Sequence, residues 1–138
     1  MARTGQYGFR LDGTQTKQGI EGLAEVNKAL RSMSKDTRDS MKETHKRAAA
    51  IVIQGAKRFV PVVSGKLAAS IRDGSTQRMG RVRIGSASVP YAGPIHFGWP
   101  ARQIKPQPFI YDALDGRRNE VAQVYAKRID ELTVKYFG

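Results

Sequence analysis

The chain has 138 residues and carries 24 Lys and Arg against 12 Asp and Glu, a net charge of +12. Apolar side chains make up 40% of it, enough to build a packed core, so we expect one domain over residues 1–138, with 1–16 as an N-terminal arm or strand on a core of 17–138. The absence of cysteine excludes disulfides and cysteine-ligated zinc, and two histidines with scattered carboxylates do not make a metal cluster. No apolar run approaches the ~20 residues a membrane helix needs. The stretch from Met1 to Gly5 lacks the apolar segment of a secretion signal, so the expected place of synthesis is a cytosol. The cationic excess points to acidic surroundings: nucleic acid, an anionic surface or acidic neighbouring subunits.

Taken in order, Tyr7, Phe9 and Leu11 share one face at period two, with Asp12-Gly13 as a turn, which predicts a first strand. Over residues 17–33 the period changes: Ile20, Leu23, Val26, Leu30 and Met33 recur at helical spacing, with Gly19 and Gly22 weakening the start. A second helix follows, capped by Ser34 or Asp36. Its apolar line is Met41, His45, Ala48, Val52, Gly55 or Ala56, and Phe59, and it ends before Pro61. Lys42, Lys46, Lys57 and Arg58 form its solvated face, and His45 on the apolar line is expected to be a core or boundary histidine.

After Pro61, Ser64 is placed to cap a short helical segment with Leu67 and Ile71 facing inward. Arg81 and Arg83 then alternate with Val82 and Ile84, a half-buried strand with a basic outer face. Residues 70–77 are its expected hairpin partner, with the turn near Met79-Gly80. Tyr91, Ile95 and Phe97 again fit period two and predict a third member of the sheet, ended by Gly98. Trp99-Pro100 opens a proline-restrained loop that closes at Pro106-Gln-Pro108. The stripe Ile110, Leu114, Val121, Tyr125, Ile129, Leu132 and Tyr136 predicts a long last helix, kinked at Asp115-Gly116. The sum is α+β: a small, mostly antiparallel sheet of three to four strands against long helices, in the order β-α-α-β-β-β-α.

No catalytic arrangement is legible. Ser64, His96 and Asp112 lack any nucleophile elbow, and the glycines of Gly93-Pro94 and Gly98-Trp-Pro100 lack the spacing of phosphate loops. The loop fits contact with a partner better than chemistry: Trp99 and Ile104 as buried anchors, Arg102 and Lys105 as rim charges, and Gln103 between them. The alternative for Trp99 is packing onto the last helix. A second candidate surface is a basic face of Arg72, Arg78, Arg81 and Arg83, suited to phosphates or carboxylates. It makes a nucleic-acid-binding domain the alternative function, although no helix-turn-helix, RRM, KH or zinc-finger pattern is present.

Three segments resemble a known family in order and spacing. They are Ala56-Lys-Arg-Phe-Val-Pro-Val-Val-Ser-Gly-Lys-Leu-Ala-Ala-Ser-Ile71, Val89-Pro-Tyr-Ala-Gly-Pro-Ile-His-Phe-Gly98 and Lys105-Pro-Gln-Pro-Phe-Ile-Tyr-Asp-Ala-Leu114. With the helix before them they are similar to the tail-completion, or head–tail joining, proteins of long-tailed bacteriophages, over about residues 17–136. The chain departs from the family where Val63 replaces a frequent acid and where His96-Phe-Gly-Trp99 replaces a frequent Glu-Phe-Gly-Thr, so particular polar contacts of the family do not carry over. The resemblance implies a structural virion protein of the neck, assembled in the host cytoplasm, with neither catalysis nor a cofactor. It further implies a ring of copies, commonly sixfold, that meets the tail-tube protein on one side and the head–tail connector or stopper on the other, with DNA passing through its channel. Such head-to-tail rings need two different, complementary surfaces on each subunit.

Overall fold

The computed structural model describes residues 6–13, 19–31, 35–61 and 65–137. Three short strands form an antiparallel sheet: β1 (Tyr7–Arg10), β2 (Arg72–Asp73) and β3 (Arg81–Ile84), in the spatial order β1-β3-β2. The register pairs Phe9 with Val82 and Tyr7 with Ile84, which puts apolar side chains on one face. It also pairs Gly8 with Arg83, Arg10 with Arg81 and Arg72 with Arg83, which puts cations on the other. The alternation expected for Arg81–Ile84 is therefore the one found: Val82 and Ile84 are fully buried and both arginines are half-exposed. Two further bonds extend the ladders, Leu11 N–H to Gly80 C=O at 3.0 Å and Gly74 N–H to Arg81 C=O at 2.8 Å.

Helix α1 (Leu23–Arg31) begins after Gly22, whose φ of +82° only glycine adopts without strain. Leu23, Asn27 and Leu30 make its buried line. The longest element, α2 (Lys35–Phe59), buries Met41, His45, Ala48, Val52, Gly55 and Ala56. Its small residues let other elements approach closely: a Cβ at Gly55 would lie 3.0 Å from Arg117 Nε and 3.3 Å from Ala113 Cβ. Helix α3 (Lys66–Ser70) buries Leu67, with Ile71 buried just after it, and the Ser70 hydroxyl donates to Leu67 C=O at 2.6 Å. The caps expected of Ser34 and Ser64, and Met33 on the first helical line, lie outside the described residues.

Two expectations are corrected. The strand placed at Tyr91–Phe97 is a short helix, α4 (Ala92–Phe97), and the third strand of the sheet is β1. Its buried residues are Ala92, Gly93 and His96, a helical spacing of small and polar types that an apolar pattern passes over. Pro94 is tolerated because first-turn N–H groups have no intrahelical partner to lose. The single long terminal helix is two helices, α5 (Phe109–Gly116) and α6 (Arg118–Phe137), divided at Arg117 next to the anticipated Gly116 kink. Both pack against α2, and α2 also covers β2 and β3, so the core lies between the sheet's apolar face and the three helices. The α+β class stands.

Candidate functional site

Gly98 has φ +81°, and a Cβ there would sit 2.9 Å from Pro106 Cδ and 3.1 Å from Ile104 C=O. Only glycine lets the two ends of the following loop meet. The loop then closes on itself. Trp99 N–H donates to Ile104 C=O at 2.9 Å, and Ile104 N–H returns a bond to Trp99 C=O at 3.0 Å. Between them Pro100–Arg102 form a 3-10 turn, and Gln103 completes it in the left-handed region at φ 57°. Gln107 N–H donates to Ile95 C=O at 2.8 Å, tying the loop's exit to α4.

Trp99, Arg102, Gln103, Ile104 and Lys105 are thus brought onto one closed projection. Trp99 is 45% exposed, and the Arg102 guanidinium lies 5.3 Å from its ring centroid, a cation–π contact. Ile104 is half-buried; Arg102, Gln103 and Lys105 are exposed.

Beside the loop runs a groove of about 280 Å³ lined by Tyr7, Gly93, Pro94, Phe97, Gly98 and Trp99. Tyr7 and Phe97 are 36% and 44% exposed, with ring centroids 5.8 Å apart. Sequence reading placed both on an inward strand face. Nothing in an apolar period tells an exposed aromatic from a buried one, so their part in this surface was not visible.

The groove stands on a buried aromatic box. His96 has no exposed surface and lies with its ring 4.5–5.0 Å, centroid to centroid, from Phe9, Phe97, Phe109 and Tyr111. Its Nε2 accepts the Ile110 N–H at 3.3 Å, serving the first turn of α5, where Pro108 provides no side-chain cap. The neutral ring therefore carries its proton on Nδ1, which has no partner among the described residues. Burial lowers the His96 pKa to about 4. His45, the histidine of α2, is also buried, and its Nδ1 lies 2.6 Å from the Tyr125 hydroxyl. Burial lowers its pKa to about 4, against weaker opposing effects of the Gln77 backbone bond and Asp12, and burial pushes the Tyr125 phenol up.

On the opposite side of the sheet the register places Arg72, Arg81 and Arg83 together with Arg10. Arg78 does not join them; it lies exposed in the hairpin turn. Arg72 Nη1 donates to Ser70 C=O at 2.8 Å and Gly85 C=O at 2.9 Å, and Arg81 Nε donates to Gly74 C=O at 3.0 Å. These carbonyls orient the guanidiniums without neutralising them. Burial, then Arg83 and Arg10, hold the Arg81 pKa below its ordinary value. Ion pairs do occur along α6 and its start, at Arg117–Glu120, Arg118–Asp115 and Arg128–Glu131.

Among the described residues no group of three or more His, Cys, Asp and Glu could hold a metal ion, and no helix is long and apolar enough to cross a membrane. No curated protein and no solved structure gives a significant match to the chain. Residues 24–90, just under half of the chain, match the family model described as "Bacteriophage HK97-gp10, putative tail-component". That segment contains the Pro61-to-Ile71 motif and the basic hairpin, and the match fits the phage tail-completion family that the motifs resemble.

Proposed function

We propose that this protein is a structural component of the phage neck, forming a ring, hexameric by resemblance, that completes the tail and joins it to the head connector. The observation that carries this reading is the Trp99 loop, pinned by its own backbone bonds yet presenting a half-exposed tryptophan and two exposed cations. A contact loop held in one conformation loses little entropy on docking, which suits a permanent assembly. In this reading Trp99 and Ile104 anchor into a neighbouring subunit or the tail-tube protein, with Arg102, Gln103 and Lys105 at the rim. The protein is not an enzyme and takes no cofactor. The arginine face meets acidic surfaces of the neck, since a strongly cationic lumen would grip passing DNA through counterion release.

Light scattering on the purified protein, alone and with isolated tail tubes, tests the reading. The expected result is tube-dependent assembly near six copies, lost in Trp99→Ala. A protein that ignores tubes but binds duplex DNA strongly and salt-sensitively would transfer the assignment to the nucleic-acid reading, which the arginine face favours.

A further inference from the structure

The groove beside the Trp99 loop has a chemistry of its own. It is lined by Tyr7, Phe97 and Trp99 together with Gly93, Pro94 and Gly98, and the Tyr7 ring lies over Gly93. At about 280 Å³ it falls just below the ~300–1,000 Å³ of small-molecule sites, and the polar side-chain groups among its lining residues are the Tyr7 hydroxyl and the Trp99 indole N–H. It has no polar cluster to orient a metabolite. Its margins are cationic. Arg102 lies over the Trp99 ring, and Lys105 is exposed at the exit of the same loop.

We propose that this groove docks an extended, acidic segment of another protein, anchored by proline between carboxylates. Proline-bearing segments in the polyproline conformation dock into aromatic-lined grooves, because their flat rings pack on aromatic faces and their backbone is already extended. The cationic margin sets the sign of the flanking residues. A second copy of this chain is a poor occupant: it carries a net charge of +12, and its exposed Phe59 directly follows Lys57 and Arg58. Those cations would meet Arg102 and Lys105. The inference deepens the neck reading by stating what the partner presents at the Trp99 loop, and it rests on that loop being a contact surface.

The chain supplies its own reporter, since Trp99 is its only tryptophan and lines the groove. The probe is a tryptophan-free synthetic heptapeptide, acidic at both ends with Pro-Phe-Pro at its centre. A peptide with the same centre and lysine ends, and oligothymidylate, serve as comparisons. The acidic peptide is expected to shift Trp99 emission to the blue, saturably, and ~0.5 M salt to weaken the effect through screening of the rim charges. Arg102→Gln is expected to weaken binding several-fold, and Lys127→Gln, an exposed cation on α6, to leave it unchanged. Gly93→Ala tests the geometry, because the new methyl would collide with the Tyr7 ring and push it from its place, while alanine suits the helix. Its far-UV circular dichroism should be unchanged and its peptide response lost.

No saturable shift, or an equal shift from the lysine peptide, overturns the proposal. A shift that grows with protein concentration alone overturns it in favour of a second copy, and a stronger response to oligothymidylate does so in favour of base stacking. Tail-tube binding measured in parallel separates the two levels. Binding that persists without a peptide response removes only the groove chemistry. A peptide response without tube binding removes the neck reading.

Discussion

Mild acid should destabilise this protein through its two buried histidines. His45 and His96 are both buried and neutral, each with its pKa lowered from 6.5 to about 4. Between those values the unfolded chain takes up protons that the folded chain refuses, so stability is fully present above pH 6.5 and is lost as pH falls toward 4. From pH 7 to pH 5 each histidine removes about 2 kcal/mol, and the two together about 4 kcal/mol, a large part of a small domain's stability. Urea titrations followed by circular dichroism at half-unit pH steps would measure this as a fall in midpoint at constant slope. His96→Leu separates the two sites. It removes the unpartnered Nδ1, a gain, and the acceptor for Ile110 N–H, a cost, and the two offset at pH 7 to within about 1 kcal/mol. Its pH dependence should be about half that of the parent. A parent chain whose stability changes by less than about 1 kcal/mol between pH 7 and 5, or a His96→Leu variant with the full dependence, would refute the reasoning.

Other substitutions test the packing and the contact surface. Phe109→Ala removes a ring with no exposed surface from the aromatic box and should cost about 3–5 kcal/mol in urea unfolding. Gly55→Val places branched carbons against Arg117 and Ala113 where α2 meets α5, and should destabilise by about 1–3 kcal/mol through overpacking. Gly116→Ala meets nothing within 4 Å at the last residue of α5 and should raise the melting temperature, with a gain of up to about 1 kcal/mol. Trp99→Ala removes a ring that is 45% exposed together with its cation–π contact, and should cost about 1–3 kcal/mol in urea unfolding while removing tube binding.

How far the sequence disclosed this arrangement differs from element to element. Val82 and Ile84 could be assigned to the core because a two-residue period with one basic face admits one orientation of a strand. His45 followed from its place on the α2 line. Tyr91–Phe97 misled because its large apolar residues fit period two, whereas burial falls on Ala92, Gly93 and His96. Nothing in the apolar pattern marks a histidine as the acceptor for the N-terminus of another helix. The loop residues were found through Trp99 and the prolines. Their closure depends on positive φ at Gly98 and Gln103, a backbone property that side-chain pattern does not encode. Arg10 joined the arginine face through strand register, a pairing between distant segments that a single sequence does not specify.

The same short helix links the core to the surface. At six residues α4 cannot hold itself in water and depends on tertiary contacts for its position. Those contacts are His96 bonded to the start of α5, Ile95 C=O accepting from Gln107, and Phe97 stacked at 5.8 Å on Phe9 of the sheet. Its outward residues, Pro94 and Phe97, are walls of the groove. The walls of the groove are therefore fixed by a fully buried histidine as well as by the loop. Charging His96 would act on both together: an imidazolium could no longer accept the Ile110 N–H and would carry its charge among four aromatic rings. Peptide binding at the groove should accordingly decline over the same pH interval as global stability in the parent chain, and by a smaller amount over that interval in His96→Leu, where His45 alone of the two histidines titrates.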